Sequence, residues 1–272
     1  MVRPSGEAEA SRRERRQPPA EPGSAGREPE ASRDARPAFY ALEEGGWRDY
    51  VTLLHLPYTA WHLSYVVIGG CLAPNVAWWR LAAAVVAFAL ALGVGAHALD
   101  ELRGRPLGTR IPDAVLVGFG VASVAIASAI GIAVLVPLEP WLVVLVPVGV
   151  FLVASYNLEL LGGRFHNDLW FGLGWGAFPT LCGYAAVAGE LRSEAVLAAV
   201  FASLLSFAQR VLSTPARQLR RRVATVHGEL ELTTGEREPL TAAGLIAPYE
   251  RGLQLIAAAT VTLAAALVVV RL

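Results

Sequence analysis

Residues 93–112 read GVGAHALDELRGRPLGTRIP, and this stretch decides what kind of chain it belongs to. A run too apolar for the surface helix of a soluble protein ends there in His97, Asp100 and Glu101. It then passes straight into Arg103, Arg105, Pro106, Leu107 and Arg110. Positions i, i+3 and i+4 of a helix share a face, so His97, Asp100 and Glu101 are expected to point the same way at one boundary of a bilayer. Ionisable groups gathered where hydrocarbon gives way to water mark a candidate site.

Composition carries the same message. Hydrophobic residues make up 54% of the chain and charged residues 17%, mean hydropathy is +0.46, and several runs approach the length needed to cross ~30 Å of hydrocarbon. Net charge is zero, with 23 basic and 23 acidic residues, so no global field favours nucleic acid as a partner. Every basic residue is arginine, which removes any mechanism through a lysine Schiff base. Cys71 and Cys182 fall in or beside apolar runs without metal-type spacing and are expected to pack.

Residues 1–37 hold eight arginines and seven acids among Pro, Gly, Ser and Ala. With no apolar period to build a core, they read as a disordered cytoplasmic tail, and residues 38–272 read as a transmembrane helical domain. Seven spans are expected, at about 51–72, 78–99, 112–136, 141–156, 168–188, 195–212 and 252–270, giving an all-α integral membrane bundle. A polar connection at 213–248, with a short amphipathic helix near 217–226, joins the last two. Arginines concentrate in the tail and around 100–111, 156–167 and 213–251. That asymmetry predicts a cytoplasmic N-terminus and an outside C-terminus in a bacterial-type plasma membrane.

Two other stretches carry polar groups into the bundle. In the first span His55, Tyr58, His62 and Tyr65 recur at helical spacing. They would either hydrogen-bond neighbouring helices or line a substrate cavity, because facing lipid would leave them unsatisfied. Residues 156–186, YNLELLGGRFHNDLWFGLGWGAFPTLCGYAA, form the other stretch. Asn157 and Arg164 sit in its loop, and Asn167 and Asp168 stand where a helix begins, as caps or as site residues. Trp170, Phe171, Trp175 and Phe178 could steady an allylic cation through their π faces, worth ~2 kcal/mol or more when desolvated, or could serve as interfacial belt and core. Further on, Gln209, Arg210 and Arg217 follow one face of the sixth span. The arginines there either obey the positive-inside rule or bind phosphate in bidentate fashion.

The acidic helix end followed by Arg-Pro-Leu between two apolar runs resembles the first signature of the UbiA-type intramembrane prenyltransferases. That signature is Asn-Asp-x-x-Asp, and its carboxylates hold magnesium against a prenyl diphosphate. His97-Ala98-Leu99-Asp100-Glu101 occupies the corresponding place here, and the resemblance extends over roughly residues 48–222. It departs at the second signature, Asp-x-x-x-Asp. There the chain reads SFAQRVLSTPARQLRRR, with no carboxylate between Glu194 and Glu229. Members of the family usually have nine helices, so two would be missing, leaving one wall open or completed by a second copy of the chain.

What the resemblance implies is a membrane protein acting on an isoprenoid diphosphate by prenyl transfer or cyclisation. Asp100 and Glu101 would hold Mg2+, with Asp100 and His97 at the reacting centre. Arg103, Arg105, Arg110, Asn157, Arg164, Asn167, Asp168, Gln209, Arg210 and Arg217 would bind substrate. The missing second signature favours an alternative, a relative without catalysis that binds lipid or assists assembly. A small-solute transporter is a third reading, though it lacks paired repeats and midplane carboxylates.

Overall fold

The computed structural model describes residues 36–272, so the expected tail at 1–37 lies almost wholly outside the described residues. Eight helices carry the fold: α1 Trp47–Leu53, α2 Leu56–Cys71, α3 Trp78–Glu101, α4 Asp113–Leu135, α5 Pro140–Asn157, α6 at residues 168–188, α7 Ser193–Arg222 and α8 Ala242–Arg271. A two-stranded antiparallel hairpin, β1 Glu229–Glu231 with β2 Arg237–Pro239, precedes α8.

Five of these helices, α3, α4, α5, α7 and α8, are long and apolar enough to cross a membrane, which marks a membrane protein. The remaining two expected spans are helical but do not reach that mark. Residues 51–72 do not form one helix. The chain breaks after Leu53, His55 adopts the left-handed conformation (φ 46°, ψ 44°), and α2 restarts with Pro57 in its first turn, leaving 16 residues. Proline has no N–H to donate back into a preceding turn and suits a helix start, so the break has a local cause. In α6 the glycines, tryptophans and Pro179 dilute the apolar character.

Both helices sit at the centre of the bundle, where a continuous lipid-facing surface is not needed. A Cβ added to Gly69 of α2 would lie 2.0 Å from the Thr180 carbonyl oxygen of α6, and one on Gly183 of α6 would lie 2.1 Å from the Val66 oxygen. A Cβ on Gly176 would come within 2.5 Å of the Ala202 oxygen of α7. The three backbones therefore touch, the small-residue contact that drives helix association in lipid. Trp61 and Tyr65 of α2 are fully buried against Leu253 and Ala257 of α8, and the Trp61 indole N–H donates to the Tyr65 hydroxyl at 2.6 Å.

The connection expected at 213–248 is helical at both ends, over residues 213–222 and 242–248, and carries the hairpin between them. α7 runs unbroken through Pro215 to Arg222, a length of about 45 Å, and α8 begins ten residues earlier than the span expected at 252. Both extensions are held by a pair of hydrogen bonds from Arg220 to Glu250, at 2.6 and 2.8 Å, with both side chains nearly buried. Partnered arginine and glutamate keep a polar extension ordered where sequence composition suggests a loop.

Two helices carry π-turns, Ala89–Ala96 in α3 and Gly172–Ala177 in α6. They meet: Leu92 and Ala96 from the first pack with Trp175 from the second, together with Val153 and Tyr156 of α5. Widened turns of this kind recur at functional positions.

Candidate functional site

The polar end of this junction gathers side chains from five parts of the chain. Tyr40, just ahead of α1, lays its ring 5.2 Å from His55 and 5.4 Å from Tyr58. The rings of His55 and His97 are 4.0 Å apart between centroids. His97 donates from Nδ1 to the Gly93 carbonyl at 3.2 Å, which leaves its Nε2 as the acceptor. His55 Nε2 is buried and has no hydrogen-bond partner among the described residues.

Asp100 is half-buried and forms no hydrogen bond or ion pair among the described residues. It lies within electrostatic reach of His166, Arg217 and Arg221. Tyr40 feels the same two arginines and Asp100, and burial pushes its phenol well above the usual range, so its hydroxyl stays protonated through neutral pH. An aromatic wall continues inward. Tyr156 stacks on His166 at 4.4 Å and meets Trp175 at 4.4 Å, Phe171 lies parallel to Trp175, and Arg210 sits over Phe171 at 5.4 Å. His62 donates from Nδ1 to the Trp175 carbonyl at 2.9 Å, tying α2 to the π-turn of α6.

The wall opens onto an apolar cleft between α3, α4, α5 and α6. Its empty volume is about 820 Å³ including the open side, and Phe88, Leu92, Val153, Trp175 and Phe178 are among its lining residues. Trp175, Leu92 and Val153 belong both to the cleft and to the cluster around Tyr156. A charged cluster and an apolar cleft thus share one wall, the arrangement an amphiphile with an anionic head requires.

The structure separates the residues expected to act together. Glu101 turns away from Asp100: it is fully buried and accepts hydrogen bonds from the Leu107 N–H at 3.0 Å, the Thr109 N–H at 2.9 Å and the Thr109 hydroxyl at 2.9 Å. Neighbours on a helix project about 100° apart, so one faces the cluster while the other closes the loop. Arg103 pairs with Glu159 at 3.1 Å and Arg110 with Glu44 at 3.3 Å; Arg105 pairs with Asp113 and donates to the Ile111 carbonyl at 2.6 Å. All three arginines fasten surface loops.

Asn157 donates to the Val153 carbonyl of its own helix at 2.7 Å. Arg164 is exposed. Asn167 caps α6 through the Trp170 N–H at 3.1 Å, and Asp168 accepts from Arg210 Nε at 2.7 Å. Gln209 is buried with its Oε1 unpartnered among the described residues. Of the expected set, His97, Asp100, Arg210 and Arg217 come together.

Tyr40, His166 and Arg221 join them without having been expected in the site. The Phe39-Tyr40 pair at the edge of a polar tail was the available signal for Tyr40. For Arg221 it was the four-residue step from Arg217.

Among the described residues no three His, Cys, Asp or Glu side chains converge in a way that could hold a metal ion. Asp100 is the one carboxylate of the cluster left without a partner there. This donor set does not fit the magnesium site that the resemblance implies at Asp100 and Glu101, because magnesium is held by carboxylates with phosphate and water oxygens and Glu101 is taken up by its loop. Compared with family models, with curated proteins and with solved structures, the chain matches none.

Proposed function

We propose that the chain is a UbiA-like integral membrane protein of seven spans, with its N-terminus in the cytoplasm and its C-terminus outside a bacterial-type plasma membrane. In this reading it binds an isoprenoid diphosphate and transfers or cyclises the prenyl group. One observation carries it: Asp100, Arg217 and Arg221 stand within electrostatic reach of one another and form no direct ion pair among the described residues, and they lie beside an aromatic wall that continues into an apolar cleft. The diphosphate would sit against the arginines and the isoprenoid chain in the cleft.

The chemistry then follows from the side chains. Arginine keeps its charge at every accessible pH and offers paired N–H donors to phosphate oxygens. When the bond between C1 and the bridging oxygen breaks, the electron pair leaves with the diphosphate, whose added charge the guanidinium groups stabilise. The faces of Tyr156, Phe171 and Trp175 steady the allylic cation. The new bond forms from an acceptor or from a double bond of the chain itself, and the proton released passes to Asp100 or to the free Nε2 of His97.

A second reading, binding without turnover, is favoured by one observation. Glu101, the other acid of the expected pair, is wholly engaged by the loop. Calorimetric titration of the detergent-purified full chain with geranylgeranyl diphosphate tests the common part of both readings, and absence of binding would overturn them together. Release of inorganic diphosphate from the bound ligand separates them. Release that disappears in Asp100→Ala supports transfer chemistry, whereas tight binding without release supports the second reading.

A further inference from the structure

We infer that the diphosphate is held by Arg217 and Arg221 without a divalent metal ion, an inference that rests on the isoprenoid-diphosphate reading above. The argument begins with α7. Because this helix runs without interruption to Arg222, Arg217 and Arg221 stand one turn apart on the same face. Arg220, on a different face, joins Glu250 and anchors the helix end to α8. The register of the two site arginines is therefore fixed by a neighbouring ion pair that does not occupy them.

Neither site arginine has an acidic partner of its own. The hydrogen bond of Arg217 is to the Thr214 hydroxyl at 3.4 Å, a weak contact for a half-buried guanidinium. Arg221, more exposed, forms no hydrogen bond or ion pair among the described residues. Groups within electrostatic reach of both are Tyr40, His55 and Asp100, and Arg217 also reaches Tyr58, Tyr156 and Arg210. A single carboxylate thus stands against two cations, and the cluster keeps a net positive charge. Holding the half-buried Arg217 beside Arg221 with only one carboxylate within reach is unfavourable without a further negative charge, so an anion completes the cluster.

The acids that a metal would need are committed elsewhere. Glu101 accepts three hydrogen bonds from its loop, Asp168 accepts from Arg210 and Glu250 from Arg220. A magnesium ion placed beside Asp100 would also meet the field of Arg217 and Arg221. Two forked guanidinium groups provide the charge and the paired donors that a diphosphate accepts.

The test uses the full chain in detergent, stripped of metal, with inorganic diphosphate and geranylgeranyl diphosphate as probes. Affinities with chelator and with magnesium should agree within about twofold. Arg217→Gln and Arg221→Gln should each weaken binding by about tenfold to a hundredfold, the worth of a charge-assisted hydrogen bond. The exposed Arg221 provides a variant whose melting temperature should stay at that of the wild type, separating lost binding from lost fold. Tighter binding of the prenylated probe identifies a lipid head group as the occupant, and equal binding a free diphosphate. Binding that vanishes with chelator and returns with magnesium overturns the inference and leaves the functional reading intact. So does unchanged affinity in both variants. No binding under any condition removes the functional reading and the inference with it.

Discussion

The loop at residues 102–111 and the end of α7 are both rich in arginine, and they treat those charges in opposite ways. In the loop, Arg103, Arg105 and Arg110 each find an acid, and a buried carboxylate, Glu101, gathers the backbone beneath them. At the end of α7, Arg220 is joined to Glu250 while Arg217 and Arg221 stand beside Asp100 without an ion pair among the described residues. A charge with a partner holds a fold together; a charge held in place without one is available to a ligand. The count of arginines in a segment does not distinguish the two conditions.

The largest effect should come from the loop. Glu101→Ala leaves two backbone N–H groups and a buried hydroxyl without an acceptor, and thermal unfolding should show a loss of about 3–5 kcal/mol. Gly183→Ala, which drives a Cβ into the Val66 carbonyl, should cost about 1–3 kcal/mol by the same measurement. Arg217→Gln should leave stability nearly unchanged and lower diphosphate affinity about tenfold to a hundredfold in calorimetry. Arg103→Gln, whose partner is an exposed Glu159, should change stability by no more than about 0.5 kcal/mol and leave affinity as it was. Were Arg103→Gln to weaken binding as much as Arg217→Gln, the contrast between the two regions would fail.

How far the sequence discloses this depends on what each residue is asked to report. Apolar runs locate α3, α4 and α5 to within a few residues, because hydrocarbon thickness imposes both length and composition. The ends of α7 and α8 are hidden because Pro215 and Pro248 sit inside them and their polar turns depend on Arg220 finding Glu250, thirty positions away. The shared face of His97, Asp100 and Glu101 is only half realised. A π-turn ends at Ala96, and the loop that follows draws Glu101 inward while Asp100 remains at the cluster. Asn157 has the chemistry of a site residue, yet its amide serves the carbonyl one turn back on its own helix, a choice no spacing rule reveals.

The glycine contacts between α2 and α6 also bear on motion. Where two helices meet backbone to backbone at Gly69 and Gly183, no side chains lie between them to repack, so they cannot slide or part by small rotamer changes. They should behave as a rigid axle, with the slowest amide hydrogen exchange in the chain. Any opening that admits a ligand is then left to the helices on the far side of the cleft, α4 and α5, and to the short segment that carries Tyr40.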